Sequence, residues 1–211
     1  KKKLSFLYKS LIRLLFIIIY GKIIFCKYPE NEKDISIEEV KDENLKSPGN
    51  LKYLIYKIKN GRIFNDFVEN VAIISGNKII DKVSYQQVKG EFKDANYNSV
   101  LYKGTPYLKR KFKGRVLSLT QGASGHRNYF HWLYDILPKI NICSKNYNLK
   151  EIDYLYISKL ETYQKLTLEI LGYNNFKIID ANKNRHIQAD EIICSEHPWY
   201  KKGFILEEAK K

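Results

Sequence analysis

The chain has 211 residues, enough for one sizeable core or two small domains, and its 44% hydrophobic and 14% aromatic content excludes a disordered protein. Lys+Arg 37 against Asp+Glu 23 gives a formal charge of +14, which favours anionic partners: phosphorylated substrates, acidic lipid or nucleic acid. Three widely separated cysteines, Cys26, Cys143 and Cys194, exclude a disulfide framework and fit a reducing compartment. The charge surplus also follows from a chain-wide abundance of Lys, Ile, Asn and Tyr, so basicity by itself assigns no partner. The absence of methionine, even at position 1, and the helix-like ending Glu207-Glu-Ala-Lys-Lys211 lead us to expect a piece of a longer reading frame.

Residues 1–27 read as an apolar and basic segment, in which Leu4–Cys26 is strongly apolar but interrupted by Lys9, Arg13 and Lys22. The longest uncharged run, Leu14–Gly21, is much shorter than the roughly 20 residues of a spanning helix. Lys9 and Arg13 share a helical stripe behind Lys1, Lys2 and Lys3, a pattern suited to a helix lying in the interface of an anionic membrane. The protein is therefore expected to be cytoplasmic and membrane-associated; the alternative is a helix packed on the rest of the chain. Residues 28–50 turn polar and acidic and read as a linker with one short helix. Residues 51–120 form a β-rich subdomain. Its apolar runs Leu51–Ile58, Val68–Ile74, Lys78–Val83 and Val116–Leu119 are separated by turn signals at Asn60-Gly61, Gly76-Asn77 and Gly104-Thr105-Pro106.

The basic run Lys109–Arg115, with Tyr107 and Phe112 interleaved, resembles a single-strand nucleic-acid surface. No recognition motif accompanies it, so nucleic acid is not the expected partner. An edge strand protected by lysines, or a contact to anionic lipid, accounts for the run as well.

In residues 121–211 the period changes. Ile152–Ser158 reads as a buried strand, Glu161–Leu171 as a helix closed by Gly172 in the left-handed region, and Phe176–Asp180 and Glu191–Cys194 as further strands. Strand, helix, strand at this spacing predicts a parallel, Rossmann-like unit, without the Gly-x-Gly-x-x-Gly fingerprint. The fold class is thus α/β, with a β-rich part followed by a Rossmann-like unit. Cys194-x-x-His197 with His186 upstream invites a metal reading, but further ligands are not visible, and no metal is expected.

Gly125–Lys139 holds the densest chemistry: His126, Arg127, Asn128, His131 and Asp135 among bulky aromatics. Asn128 is a good N-cap, so His131 and Asp135, four residues apart, share a helix face. The pair suits a general base with its orienting carboxylate, or a salt bridge that merely fixes the helix start. The flexible Gly122-Ala-Ser-Gly125 loop, then His126 and Arg127 before a helix N-terminus, make an anion site suited to phosphate. Trp132 offers a face for stacking on a sugar or base, or is core. Pro138 is expected to kink or end the helix.

Asn128-Tyr-Phe-His131-Trp-Leu-Tyr-Asp135-Ile-Leu-Pro138-Lys resembles the motif of glycosyltransferase family 61, whose bacterial members act in capsular polysaccharide biosynthesis. Gly61-Arg-Ile-Phe64, Asn70–Gly76 and Ile187–Ile192 resemble its flanks, so the likeness covers about residues 60–198. The resemblance implies the first domain of a two-Rossmann-domain (GT-B-type) inverting transferase. It would move a sugar from a nucleotide-sugar to a glycan or lipid-linked glycan acceptor, needing no cofactor or catalytic metal. His131 and Asp135 would then serve as base and orienter, and His126, Arg127, Asn128 and Trp132 as substrate contacts. The family's second domain carries a His-Gly-Ala-Gly-like stretch that has no counterpart before Lys211, so the chain is expected to be an N-terminal half. The rival readings are a non-catalytic membrane- or polymer-binding module of the same fold, and a basic nucleic-acid-binding protein.

Overall fold

The computed structural model describes residues 2–41, 52–65, 71–84, 86–88, 91–122, 128–173 and 176–198. The sheet is organised around β12 (His186–Ser195). Along one edge of β12 lies β9 (Arg110–Ser118), parallel. Along the other lie β3 (Leu54–Lys59) and β4 (Arg62–Asn65), both antiparallel. Ile55 faces Ser195, Lys59 faces Glu191, Arg62 faces Gln188 and Phe64 faces His186, so one register runs through both strands.

Asn60-Gly61, expected as a turn between strands, is therefore crossed by the ladder. The Asn60 amide donates to the Asp190 carbonyl at 2.8 Å, and the Ala189 amide to the Gly61 carbonyl at 3.0 Å. Asn60 takes φ 50°, a left-handed value that asparagine tolerates. Gly61 passes so close to Ile192 that an added Cβ would lie 2.7 Å from its Cγ1. The two residues bend a strand here instead of reversing it.

Beyond β9, β10 (Tyr154–Ile157) and β11 (Lys177–Asp180) add in parallel. Beyond β4, β5 (Val71–Ser75) and β6 (Lys78–Ile80) add antiparallel, and β1 (Ile24–Cys26) pairs parallel to β6. β2 (Ile35–Glu39) pairs antiparallel with β3. Among the described residues the result is a ten-stranded open sheet of mixed sense, an α/β architecture. β7 (Gln86–Val88) and β8 (Glu91–Lys93) form a separate hairpin. Because β12 pairs with β3 and β4, segments 51–120 and 121–211 contribute strands to the same sheet. The stretch expected as a linker supplies β2, where Ile35 and Ile37 alternate with Ser36 and Glu38. Their short alternation is outweighed in the sequence by the surrounding acids.

Alternation along the strands divides the core. Leu117, Leu155 and Ile193 pack on one face with Trp132, Ile136 and Ile140, and with Leu168 of α5 (Thr162–Ile170). Val116, Tyr156 and Ile192 pack on the other with Ile58, Ile63 and Ile187. The α5 helix begins in a capping box, Glu161 with Gln164, and is followed by Gly172 at φ 76°, the expected left-handed terminator.

The basic run occupies the first half of β9, which pairs with β10 from Val116 to Ser118. Arg110, Lys111 and Lys113 are exposed there, as lysine protection of an edge requires. Helix α1 (Lys2–Tyr20) lies against the body through Ile17, which faces Gly104 at the end of the short α2 (Val100–Lys103), and Tyr20, which stacks edge-on with His186. Its opposite side leaves Tyr8, Leu11, Leu14, Leu15, Ile18 and Ile19 exposed. Among the described residues no helix is long and apolar enough to cross a membrane.

β9 carries one extra residue between Phe112 and Arg115, and Gly114 absorbs it at φ 105°. The Gly114 amide donates to Asp190 Oδ2 at 2.8 Å, and an added Cβ would lie 2.2 Å from Asp153 Oδ2. Gly114→Ala should therefore lower stability by about 1–3 kcal/mol, through backbone strain and loss of the Asp153 contact to the Arg115 amide. A denaturant melt unchanged from the parent would overturn this account of the bulge.

Candidate functional site

At the carboxyl ends of β9 and β12 the chain brings together residues far apart in sequence. Leaving β9, Gln121 receives a hydrogen bond from Ser118 Oγ at 3.1 Å and donates to the Ser195 carbonyl at 3.4 Å, tying the two strand ends. Asn128 then caps α3 (Tyr129–His131), its Oδ1 accepting from the Phe130 amide at 2.8 Å. The helix does not end at Pro138. It widens into a π-helical stretch over Trp132–Ile136 and continues as α4 (Leu137–Ser144). Proline lacks an N–H and clashes with the carbonyl four residues back, and the wider turn relieves both problems. The Leu137 amide accordingly donates to the Trp132 carbonyl.

His131 and Asp135 meet as their spacing predicts, with His131 Nδ1 2.6 Å from Asp135 Oδ2. Asp135 is only 2% exposed, whereas His131 is half-buried. Two further groups close on the carboxylate. His197, just past β12, places Nε2 3.8 Å from Asp135 Oδ1, too long for a hydrogen bond. Asp135 Oδ1 has no hydrogen-bond partner among the described residues. Lys139, one turn beyond Asp135 and fully buried, donates from Nζ to the Gln121 carbonyl at 2.5 Å and to the Leu119 carbonyl at 3.3 Å.

The electrostatics follow from burial. Loss of water pushes the Lys139 ammonium down to about 7, with Asp135 opposing the shift. Burial likewise pushes the His197 imidazole down to about 3, against a hydrogen bond to the Gly122 carbonyl, so His197 is neutral at pH 7. A carboxylate that accepts at the Nδ1 of one histidine fixes the other nitrogen, Nε2, as the one able to take a proton. The arrangement can thus extract a proton from a hydroxyl presented to His131.

The other expected contacts fare differently. Asn128 spends its side-chain oxygen on the helix start. His126 and Arg127 lie outside the described residues, as does most of the Gly122–Gly125 loop. Trp132, expected to offer its face to a substrate, is 1% exposed and packs in the core edge-on to Tyr163. The amphipathic turn that carries His131 outward rotates the next residue inward. Cys194 is buried in β12, and burial holds its thiol well above the ordinary value. Among the described residues no group of His, Cys, Asp and Glu could hold a metal ion. The sequence reading missed Lys139 and His197 as members of the site. The Asp135–Lys139 spacing of four residues was a legible signal; His197 had none, because its place depends on the β12 register.

Two consequences are measurable. Trp132→Ala should cost about 3–5 kcal/mol of stability, as emptying a core aromatic site does, which a ligand-stacking surface residue would not. His186 is also pushed down, to about 4, chiefly by burial, so two histidines stay neutral when folded but take protons near 6.5 when unfolded. Their stability contribution is complete above about pH 6.5 and falls as pH drops toward 4, with about two protons taken up on unfolding. Urea melts across this range check it: His197→Gln should remove one of the two protons, and a pH-independent midpoint would contradict the burial of both.

In comparisons with protein-family models, curated proteins and solved structures, the chain matched none.

Proposed function

We propose that this chain belongs to an inverting glycosyltransferase that moves a sugar from a nucleotide-sugar donor to a glycan or lipid-linked glycan acceptor, with His131 as base and Asp135 as its orienter. The observation that carries the reading is the 2.6 Å contact between His131 Nδ1 and the buried Asp135 carboxylate at a strand-end site. The motif's resemblance to glycosyltransferase family 61 supplies the reaction class.

The sheet supports the reading. In the order β11-β10-β9-β12, four adjacent strands run parallel with the first in sequence, β9, inside. Numbered along the chain this is 3-2-1-4, the order of a Rossmann half, in which ligands bind beyond the carboxyl ends where the order reverses. That switch point lies between β9 and β12, where Gln121, Asp135 and His197 meet. The passage from β11 to β12 takes 181–185 with no helix, a departure from the doubly wound pattern. Thr120 Oγ1 and Ser158 Oγ, buried just beyond β9 and β10, lack hydrogen-bond partners among the described residues and are suited to donor contacts.

In this mechanism an acceptor hydroxyl approaches His131 Nε2 and loses its proton there as its oxygen attacks the anomeric carbon. The bond from that carbon to the donor phosphate breaks, and the nucleoside diphosphate leaves with the electron pair. Asp135 holds the ring and stabilises the imidazolium that forms. The helix start at Asn128, with Arg127 as the neighbouring cation in sequence, stabilises the departing phosphate. No cofactor or metal takes part. Capsular or other surface polysaccharide is the product class, made at the cytoplasmic side of a membrane.

Asp135→Asn and His131→Gln should each lower turnover of nucleotide-sugars by about 10²–10⁴-fold, and His131→Gln, at the more exposed partner, should leave the thermal melt near the parent's. A panel of nucleotide-sugars with short glycan acceptors provides the assay. Turnover that survives both substitutions would sink the assignment.

A further inference from the structure

A second constellation lies at the foot of α1, apart from the His131–Asp135 site. A cavity of about 320 Å³ there has Ile19, Tyr20, Arg62, Asn77, Lys109 and Gln188 among its lining residues. Arg62 is only 4% exposed. Its Nη1 donates to the Tyr20 carbonyl at 3.4 Å and its Nη2 to Asn77 Oδ1 at 3.3 Å, both long bonds to neutral acceptors. Arg62 Nε has no hydrogen-bond partner among the described residues. Lys109, half-buried, sits with its ammonium 5.4 Å from the centre of the Tyr20 ring. Neither cation forms an ion pair among the described residues.

Among the described residues this arrangement is uncompensated. A guanidinium stays charged at any physiological pH, and burying it without a counter-charge is costly. Burial and the Arg62 charge both depress Lys109, and both cations act on the neighbouring His186, so the surroundings are electropositive. An oxyanion would supply the missing charge, and the planar fork of arginine matches phosphate oxygens.

We propose that the cavity at the foot of α1 is a binding site for a phosphate-class oxyanion, held by Arg62 and Lys109. Ile19 and Tyr20 connect the site to the exposed apolar side of α1, where Leu15 and Ile18 lie. The anion therefore has two possible sources, the headgroup of an anionic lipid whose chains meet that side, or a soluble phosphate compound.

Calorimetric titration of the full chain with inorganic phosphate and with pyrophosphate tests the site, alongside flotation with phosphatidylcholine vesicles with and without phosphatidic acid. Arg62→Gln and Lys109→Gln should each weaken binding about tenfold or more, as loss of a charged hydrogen bond does. Lys111→Gln on the exposed edge should change it less than about twofold. If Arg62→Gln does not fold, Lys109→Gln carries the comparison. Flotation that requires phosphatidic acid and is lost in both Lys109→Gln and Ile18→Ser identifies a lipid source. Phosphate or pyrophosphate binding indifferent to Ile18→Ser identifies a soluble one. The site is rejected if the parent binds neither probe, or if Lys111→Gln weakens binding as much as Arg62→Gln and Lys109→Gln do.

Discussion

β12 has a neighbour along both edges, β9 on one side and the continuous β3–β4 strand on the other, and the remaining strands are referred to it. A strand paired on both sides must match two registers at once, and a slip of one residue would exchange its two faces. Here the registers agree because two local irregularities absorb the difference. Asn60-Gly61 bends the antiparallel neighbour without breaking its ladder, and Gly114 takes up an extra residue in the parallel one. With both edges held, the end of β12 is placed firmly beside the end of β9, and His197 is delivered to Asp135 across a long span of sequence.

The molecule handles buried charge in two opposite ways. Asp135 is surrounded by groups that can answer its charge: His131 at hydrogen-bond distance, Lys139 one turn away, and His197 nearby as a neutral ring. Lys139 is itself held by two backbone carbonyls, so its position is determined by the loop leaving β9. The carboxylate, the helix and the strand end thus form one unit. Arg62 is the reverse case, a permanent cation nearly as buried but set against neutral oxygens. Among the described residues one buried charge is balanced locally and the other is not, and the proposed oxyanion site rests on that contrast.

The π-helical turn links local chemistry to the site. Pro138 would end an ordinary helix, yet residues on both sides of it belong to the core, among them Trp132, Ile136, Ile140 and Ile142. Packing of those residues outweighs the lost hydrogen bond, and the helix persists by widening over Trp132–Ile136. The widened segment holds the buried Asp135, so the accommodation of a proline and the placing of the carboxylate are the same structural event.

Interactions between near neighbours were legible in the sequence. The Asn128 cap, the His131–Asp135 pair, the α5 helix with its Gly172 terminator and the parallel strands β10 and β11 all depend on residues within a few positions, or on a simple period. Half of the candidate site, His131 and Asp135, was readable on those terms, and Lys139 could have been. Tertiary structure decided the rest. Whether Asn60-Gly61 reverses or bends the chain depends on β12, whether Trp132 faces a ligand or the core depends on which side of the helix meets the sheet, and the place of His197 depends on a register set more than fifty residues from Asp135. Spacing along a helix is encoded locally, whereas which strand edges and which charges come together is settled only when the whole sheet closes its hydrogen bonds and buries its two faces.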